Sequence, residues 1–337
     1  MLVLGIETTC DDASASLVED GRKIISHVIA SQINLHKRYG GVFPEYASRR
    51  HVDSLLPVIN ETLKQANITY KEIDLIGVAH KPGLIGSLLI GLTTAKSLSF
   101  AWNIPFIGVD HLFAHIYAAM MSKESWSFPC LGVVLSGGHT SIFKLHTLHH
   151  YETIGFTIDD AIGESFDKVA TLLGLTYPGG PEIERLAKEG DERSFPLHPC
   201  VVKGNPLLFS FSGLKTKILY LAKGQNSTKH DPLIITEKEK GDLAASFQRT
   251  VFLDVVEKTL LACHLHECKE IYLGGGVTNN VYLKKLFQEK TPADIPVHFP
   301  GKDLSLDNGA MIAGLGFHLF KKSQKGDPYD MVCIPKY

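Results

Sequence analysis

The sequence predicts an α/β protein with a duplicated fold, two similar halves around a central cleft. Two observations carry this prediction. A short apolar run, a polar turn and an alternating stretch, "LVLGIETTCDDASASLVED" at residues 2–20, recurs as "PCLGVVLSGGHTSIFKLHT" at 129–147. Each copy is then followed by further strand and helix patterns, and a chain of 337 residues has room for both. The first half is expected over 1–120 and the second, with insertions, over 121–307. A helix over 308–322 is free to pack back on the first half.

In chain order, 2–20 reads as a buried strand, a tight turn and a second strand. The opening "MLVLGIETTC" lacks the basic start of a signal peptide. Residues 72–111, "EIDLIGVAHKPGLIGSLLIGLTTAKSLSFAWNIPFIGVDH", read as strand, Gly-Pro turn, long helix and strand. The most apolar part of that run contains Lys96 and several polar residues, so it is expected to be a buried helix and not a membrane span. Residues 222–241 are polar and read as a surface excursion. Residues 268–290, "CKEIYLGGGVTNNVYLKKLFQEK", read as strand, glycine turn and helix.

Composition is that of a core-forming globular protein, with 44% hydrophobic and 21% charged residues. A net charge of −2 offers no global attraction to nucleic acid, so any such binding needs a local patch. The six cysteines are scattered and form no CxxC, which fits a reduced, cytoplasmic compartment.

Several motifs carry chemistry. In "VDHLFAHIYA", 109–118, His111 and His115 stand four apart, and on a helix that spacing stacks them on one face. The pattern suits metal ligation or simple packing. A zinc peptidase of the HExxH type needs a glutamate directly after the first His, and Leu112 stands there. Asp307, before the helical pattern of "LSLDNGAMIAGLGFHLF", is either an N-cap or a third ligand completing a His-His-Asp set. "CHLHEC", 263–268, lacks the spacing of a zinc module.

Three glycine turns, "LSGGHT" at 135–140, "TYPGGPEIERLA" at 176–187 and "YLGGGVTNN" at 272–280, end strands or open helices. Their backbone N–H groups can converge on an anion, so together they fit a nucleotide cleft. Singly, the first reads as a type I′ hairpin turn, and the third as a turn capped by Asn279 or Asn280. Asp11 and Asp12 lie in the first polar turn, as turn formers or as carboxylates for a metal or a nucleophile. Asp167 lies in a predicted helix. The stretch 34–54 holds His36, Lys37, Arg38, Arg49, Arg50 and His51 with Tyr39, Phe43 and Tyr46 between them. It suits phosphate contacts with base stacking, or a solvated loop and helix start.

The ordered series "LGIETTCDD", "HKRYGGVFPEYASRRH", "PGLIGSLLIG", "HLFAH", "LSGGHTS", "IDDAIGESFDKVA", "YPGGPEIERLA", "FSFSGLKT", "GGGVTNN" and "DNGAMIA" resembles the TsaD (Gcp, YgjD) family over nearly the whole chain. The resemblance implies an actin-like ATPase (ASKHA) fold. It implies one divalent metal, Fe2+ with Zn2+ as the alternative, on His111, His115 and Asp307. It implies that Val134, Leu135, Ser136, Gly137, Gly138, Asp167, Gly180, Glu184 and Asn280 hold threonylcarbamoyl-AMP or ATP. Glu184 stands where many relatives have Asp, and His80 and Lys81 replace small residues. The implied reaction is threonylcarbamoyl transfer to N6 of the adenosine 3′ of the anticodon in tRNA, with Asp11 as candidate base. The implied partners are a TsaB-like paralogue, a TsaE-like small ATPase and a TsaC-type synthase that supplies the donor, with no membrane involved. The alternatives are a metal-dependent peptidase and a non-catalytic ATP-binding scaffold.

Overall fold

The opening apolar run forms β1 (Leu2–Glu7), and the polar turn after it returns the chain antiparallel as β2 (Ala13–Glu19). The computed structural model describes residues 1–336. The next strand, β3 (Lys23–Ala30), is the half-exposed edge. After the short α1 (Ile33–His36), Pro44 opens α2 (Pro44–Ala66) at a position where its missing N–H costs nothing. Asn67, in the left-handed conformation, ends α2. β4 (Leu75–Lys81), α3 (Ile85–Trp102), β5 (Phe106–Asp110) and α4 (His111–Met120) follow.

The second run of elements is β6 (Cys130–Leu135), β7 (Thr140–Thr147), β8 (His150–Phe156), α5 (Ile162–Leu172), α6 (Gly179–Ala187) and α7 (Ser212–Lys223). α8 (Glu237–Leu265), β9 (Ile271–Gly274), α9 (Val281–Lys290) and β10 (Val297–His298) complete it. The expected surface excursion over 222–241 is shorter in the structure. Thr236 and Glu239 form a capping box, and α8 starts inside the polar stretch. The last helix is α10 (Gly309–Ser323).

The two sheets repeat one topology. The first has the order β3-β2-β1-β4-β5 and the second β10-β9-β6-β7-β8. In each, the first strand pairs antiparallel with its successor and parallel with the strand reached through a helix. Both central strands, β1 and β6, are buried on both faces, which is why they read as apolar runs. No helix among the described residues is long and apolar enough to cross a membrane.

The chain forms two compact units, 1–126 with the segment from 300 onward, and 127–299. The expected boundaries at 120/121 and 307/308 differ from these by several residues. Residues past α4 stay with the first unit, where Trp126 donates to the Met120 carbonyl and Arg22 to that of Met121.

α10 lies on β1 because two glycines cross there. A β-carbon on Gly5 would stand 2.0 Å from the Gly309 carbonyl oxygen, and one on Gly309 2.7 Å from that of Gly5. The Gly309 N–H also donates to Ser14 Oγ at 3.0 Å. Gly5→Ala is therefore expected to destabilise the protein by about 3 kcal/mol, the upper end of core overpacking. Urea denaturation measures it, and a loss below about 0.5 kcal/mol would refute the crossing as drawn.

Candidate active site

Two groups of side chains stand out, one in each unit. In the first unit, Asp110 caps α4 by accepting from the Phe113 N–H at 3.1 Å, so His111 opens the helix and His115 follows one turn later. Both imidazoles are buried, with ring centroids 4.6 Å apart. Asp307 meets them from the segment before α10. Its Oδ1 lies 3.0 Å from His115 Nε2 and 3.6 Å from His111 Nε2. Asn308, not Asp307, caps α10, accepting from the Met311 N–H at 2.9 Å. The aspartate is thereby left to face the histidines.

Behind His111 stands Glu7, a fully buried carboxylate at the end of β1. Its Oε2 lies 2.9 Å from His111 Nδ1, and its Oε1 accepts from the Thr9 N–H. Thr9 Oγ1 is 3.2 Å from the same His111 nitrogen. Burial by itself would lower the His111 pKa, but Glu7 and then Asp307 outweigh it and hold the group up to about 9. Burial, and next the charge on His111, push His115 down. The pocket therefore attracts a cation. Two imidazoles and a carboxylate, with donor atoms within 4.8 Å of one another, are a donor set suited to Fe2+ or Zn2+ that leaves coordination positions open. The contact of Glu7 with Nδ1 leaves His111 Nε2 on the side of Asp307. Asp11 and Asp12 lie in the nearby turn. Burial raises the Asp12 carboxyl to about 6, against a hydrogen bond from Ser31, and one of its oxygens is buried without a partner.

In the second unit, the glycine turns gather around β6. Ser136 N–H donates to the His139 carbonyl, and His139 N–H to Ser136 Oγ, so Gly137 and Gly138 form the tip. Neither glycine is left-handed, so the turn is not type I′. A β-carbon on Gly137, Gly138 or Gly180 would meet nothing within 4 Å. Val134 and Leu135 are the buried last residues of β6. The start of α5 leans on the tip, with Gly163 N–H donating to the Ser136 carbonyl at 3.1 Å. The third turn needs its glycine. Gly275 has a φ of 94°, and a β-carbon there would stand 2.4 Å from the Leu135 carbonyl oxygen.

Asp167, on α5, accepts from the Gly179 N–H at 2.6 Å and so clamps the second turn. Burial lifts its carboxyl to about 6, against that hydrogen bond and with help from Glu164. Asn280 both caps α9, accepting from Leu283 N–H at 3.1 Å, and donates to Gln248 at 2.9 Å. Glu184 Oε1 accepts from the Val281 N–H at 2.8 Å. Glu184, Lys188, Gln248, Val281, Tyr282 and Lys285 line a cavity of about 280 Å3. "CHLHEC" is no ligand set. Cys263 is buried and donates to the Cys268 carbonyl, and the one metal-like cluster among the described residues is His111, His115 and Asp307.

A family model for "TsaD: tRNA N6-adenosine threonylcarbamoyltransferase" matches residues 23–314. The chain belongs to the TsaD family. A Protochlamydia amoebophila relative with the same description is 52% identical over 98% of this chain and 96% of its own. A Dictyoglomus turgidum relative of that description is 44% identical, also over 98% and 96%. Among solved structures, the T. kodakarensis HypF has a TM-score of 0.64 at 15% identity, over 96% of this chain and 48% of that one. The Acidaminococcus fermentans (R)-2-hydroxyglutaryl-CoA dehydratase component A has a TM-score of 0.54 at 15% identity, over 96% and 100%. The TsaD chain thus has the actin-like ATPase fold, as its repeated sheet topology requires. Of the residues gathered around His111, Glu7 and Thr9 were not singled out by the sequence patterns, whereas Asp12 of the nearby turn was, as a turn former or a carboxylate for a metal or a nucleophile. The spacing of Glu7 and Thr9 carries no motif of its own.

Replacing His115 or Asp307 by Ala is expected to abolish stoichiometric metal binding in a folded protein. Glu7→Gln is expected to weaken it by about 10- to 100-fold. Metal titration against a chromophoric chelator checks both, and unchanged affinity in all three variants would remove the centre.

Proposed function

We propose that the protein transfers a threonylcarbamoyl group from threonylcarbamoyl-AMP to N6 of the adenosine 3′ of the anticodon in tRNAs reading codons that begin with A, in the cytoplasm. Family membership along nearly the whole chain carries this reading. The convergence of His111, His115 and Asp307 supports it. A peptidase of the HExxH type has no support here, because Leu112 stands where its glutamate would follow the first histidine.

His111, His115 and Asp307 would hold one divalent metal, Fe2+ in this reading and Zn2+ as the alternative, and when bound it supplies Lewis-acid polarisation of a carbonyl or phosphoryl oxygen. The turn from Val134 to Gly138 presents backbone N–H groups to the donor's phosphate. The open space above Gly137, Gly138 and Gly180 supports that role. Asp167, Glu184 and Asn280 receive the adenosine, with the cavity beside Glu184 taking part of it. The N6 of the tRNA adenosine attacks the carbamoyl carbon of the donor, a C–N bond forms, and the bond to the phosphate oxygen breaks with AMP leaving. Asp11 takes the N6 proton. A TsaC-type synthase supplies the donor, and a TsaB-like paralogue and a TsaE-like ATPase assist. Val52 and Leu56 on α2 with Ile85 and Leu89 on α3 are exposed apolar side chains of the kind a protein partner covers.

Incubating the protein and these partners with tRNA, threonine, bicarbonate and ATP should yield threonylcarbamoyladenosine by nucleoside mass spectrometry. Its absence with all components active would overturn the reading. Gly137→Val should leave thermal unfolding unchanged yet abolish binding of a nonhydrolysable adenylate analogue. Normal binding would place the phosphate elsewhere. Asp167 accepts a ligand hydroxyl as a carboxylate, and with its carboxyl raised to about 6 that acceptor is progressively lost to protonation as pH falls from 7 through 6. Analogue affinity should therefore fall as pH drops from 7 to 5, and Asp167→Asn should flatten that dependence in calorimetric titrations.

A further inference from the structure

The structure brings together three aromatic rings that the sequence scatters over eight positions. Tyr39 follows α1, Phe43 precedes α2, and Tyr46 lies in the first turn of α2. Tyr39 and Tyr46 stack at 5.7 Å between centroids with an interplanar angle of 20°. Phe43 touches both, at 5.8 Å and 5.0 Å. The rings are nevertheless 53%, 42% and 42% exposed. An aromatic cluster this open, outside any core, is poorly explained by its own packing.

Its support is hydrogen-bonded from beneath. His36 is fully buried, and its Nδ1 accepts from the Phe43 N–H at 3.3 Å. Gly41 N–H donates to the His36 carbonyl, and Gly40 turns the chain with a φ of 69°. Buried Ala47 receives Gln32 Nε2 on its carbonyl at 3.2 Å. The loop and the start of α2 are thus fixed from beneath while the rings face outward.

The charge around the rings selects the occupant. Lys37, Arg38, Arg49 and Arg50 are all exposed, and no ion pair holds any of them among the described residues. They outnumber the two local carboxylates, Glu45 and Asp53, in a chain whose net charge is −2. A protein partner covering an aromatic patch has no need of four free cations. A polyanion with unpaired bases uses both features, cations for phosphates and ring faces for bases.

We infer that Tyr39, Phe43 and Tyr46 form a stacking platform for an unpaired base of the RNA substrate loop, with Lys37, Arg38, Arg49 and Arg50 holding the flanking phosphates. The inference rests on the tRNA reading above and adds the surface that grips the loop. The platform acts through ring faces, and every base has a π-face to stack on them, so stacking alone takes a base without choosing which one.

The test uses the full chain and a stem–loop RNA of an anticodon arm, with 2-aminopurine at successive loop positions. Tyr39→Leu, Phe43→Leu and Tyr46→Leu keep apolar bulk but lose the ring face. Each is expected to weaken loop binding by roughly tenfold and to relieve fluorescence quenching at one loop position. The salt dependence of binding should stay as in wild type. Arg49→Ala and Arg50→Ala should instead lower the salt slope by about one phosphate contact each. Tyr46→Phe should restore affinity, and thermal unfolding confirms that each variant is folded. Wild-type affinity and quenching in all three leucine variants would overturn the platform. So would a loss of binding to a partner protein with RNA binding intact, since that outcome makes the patch a protein interface. Nucleoside formation by wild type, measured alongside, separates the two claims. If wild type modifies tRNA and the leucine variants bind and modify equally well, the platform falls and the activity stands.

Discussion

The crossing of Gly5 and Gly309 is the contact on which the first unit's chemistry depends. A helix can approach a strand this closely only where neither backbone carries a β-carbon, and here the separation is shorter than any side chain permits. The crossing draws α10 onto β1 and fastens its first N–H to Ser14 on β2. Asp307 sits two residues before that contact. Backbone packing thus brings it beside His115, 192 positions away in sequence, where its carboxylate meets the imidazole at 3.0 Å.

The cluster so formed is electrostatically unusual for a buried site. Glu7 is fully buried and faces a buried imidazole, and Asp307 faces two. Burying a carboxylate is costly unless it is paired, and here both Glu7 and Asp307 lie against imidazoles. A proton on His111 serves in the protein alone, which is why that imidazole is held to about 9. A divalent metal meets the same demand with more charge. Glu7, the two imidazoles and Asp307 form one electrostatic unit, and β1 and α4 supply its frame.

The second unit solves a different problem with the same strand–turn–strand plan. Its turn between β6 and β7 carries glycines at the tip where the first unit's turn carries carboxylates. One version gathers negative charge, and the other presents N–H groups and open space. Gly275 presses against the base of the β6–β7 turn at Leu135 and Gly163 against its tip at Gly137, and Asp167 ties the start of α6 to α5. The glycine tip is thus exposed but braced.

Local pattern determined most of the fold. The buried runs of β1 and β6, the amphipathic helices and the repeated strand–turn–strand are set by residues within a few positions of one another, and each was legible. The His111–His115 spacing was legible for the same reason, because a helix turns once in 3.6 residues. Tertiary structure decided the rest. Whether Asp307 capped a helix or faced the histidines depended on Asn308 taking the cap, and two adjacent polar residues before a helix do not reveal which will do so. Glu7 gained its role only when β1 and α4 met. Tyr39, Phe43 and Tyr46 became one surface only when buried His36 fixed the loop between them. Gly-Gly at 137–138 favoured a left-handed turn by local preference, yet the contact of α5 accompanies another conformation. Sequence sets what each short segment can do, and contacts between segments far apart in the chain choose among those options.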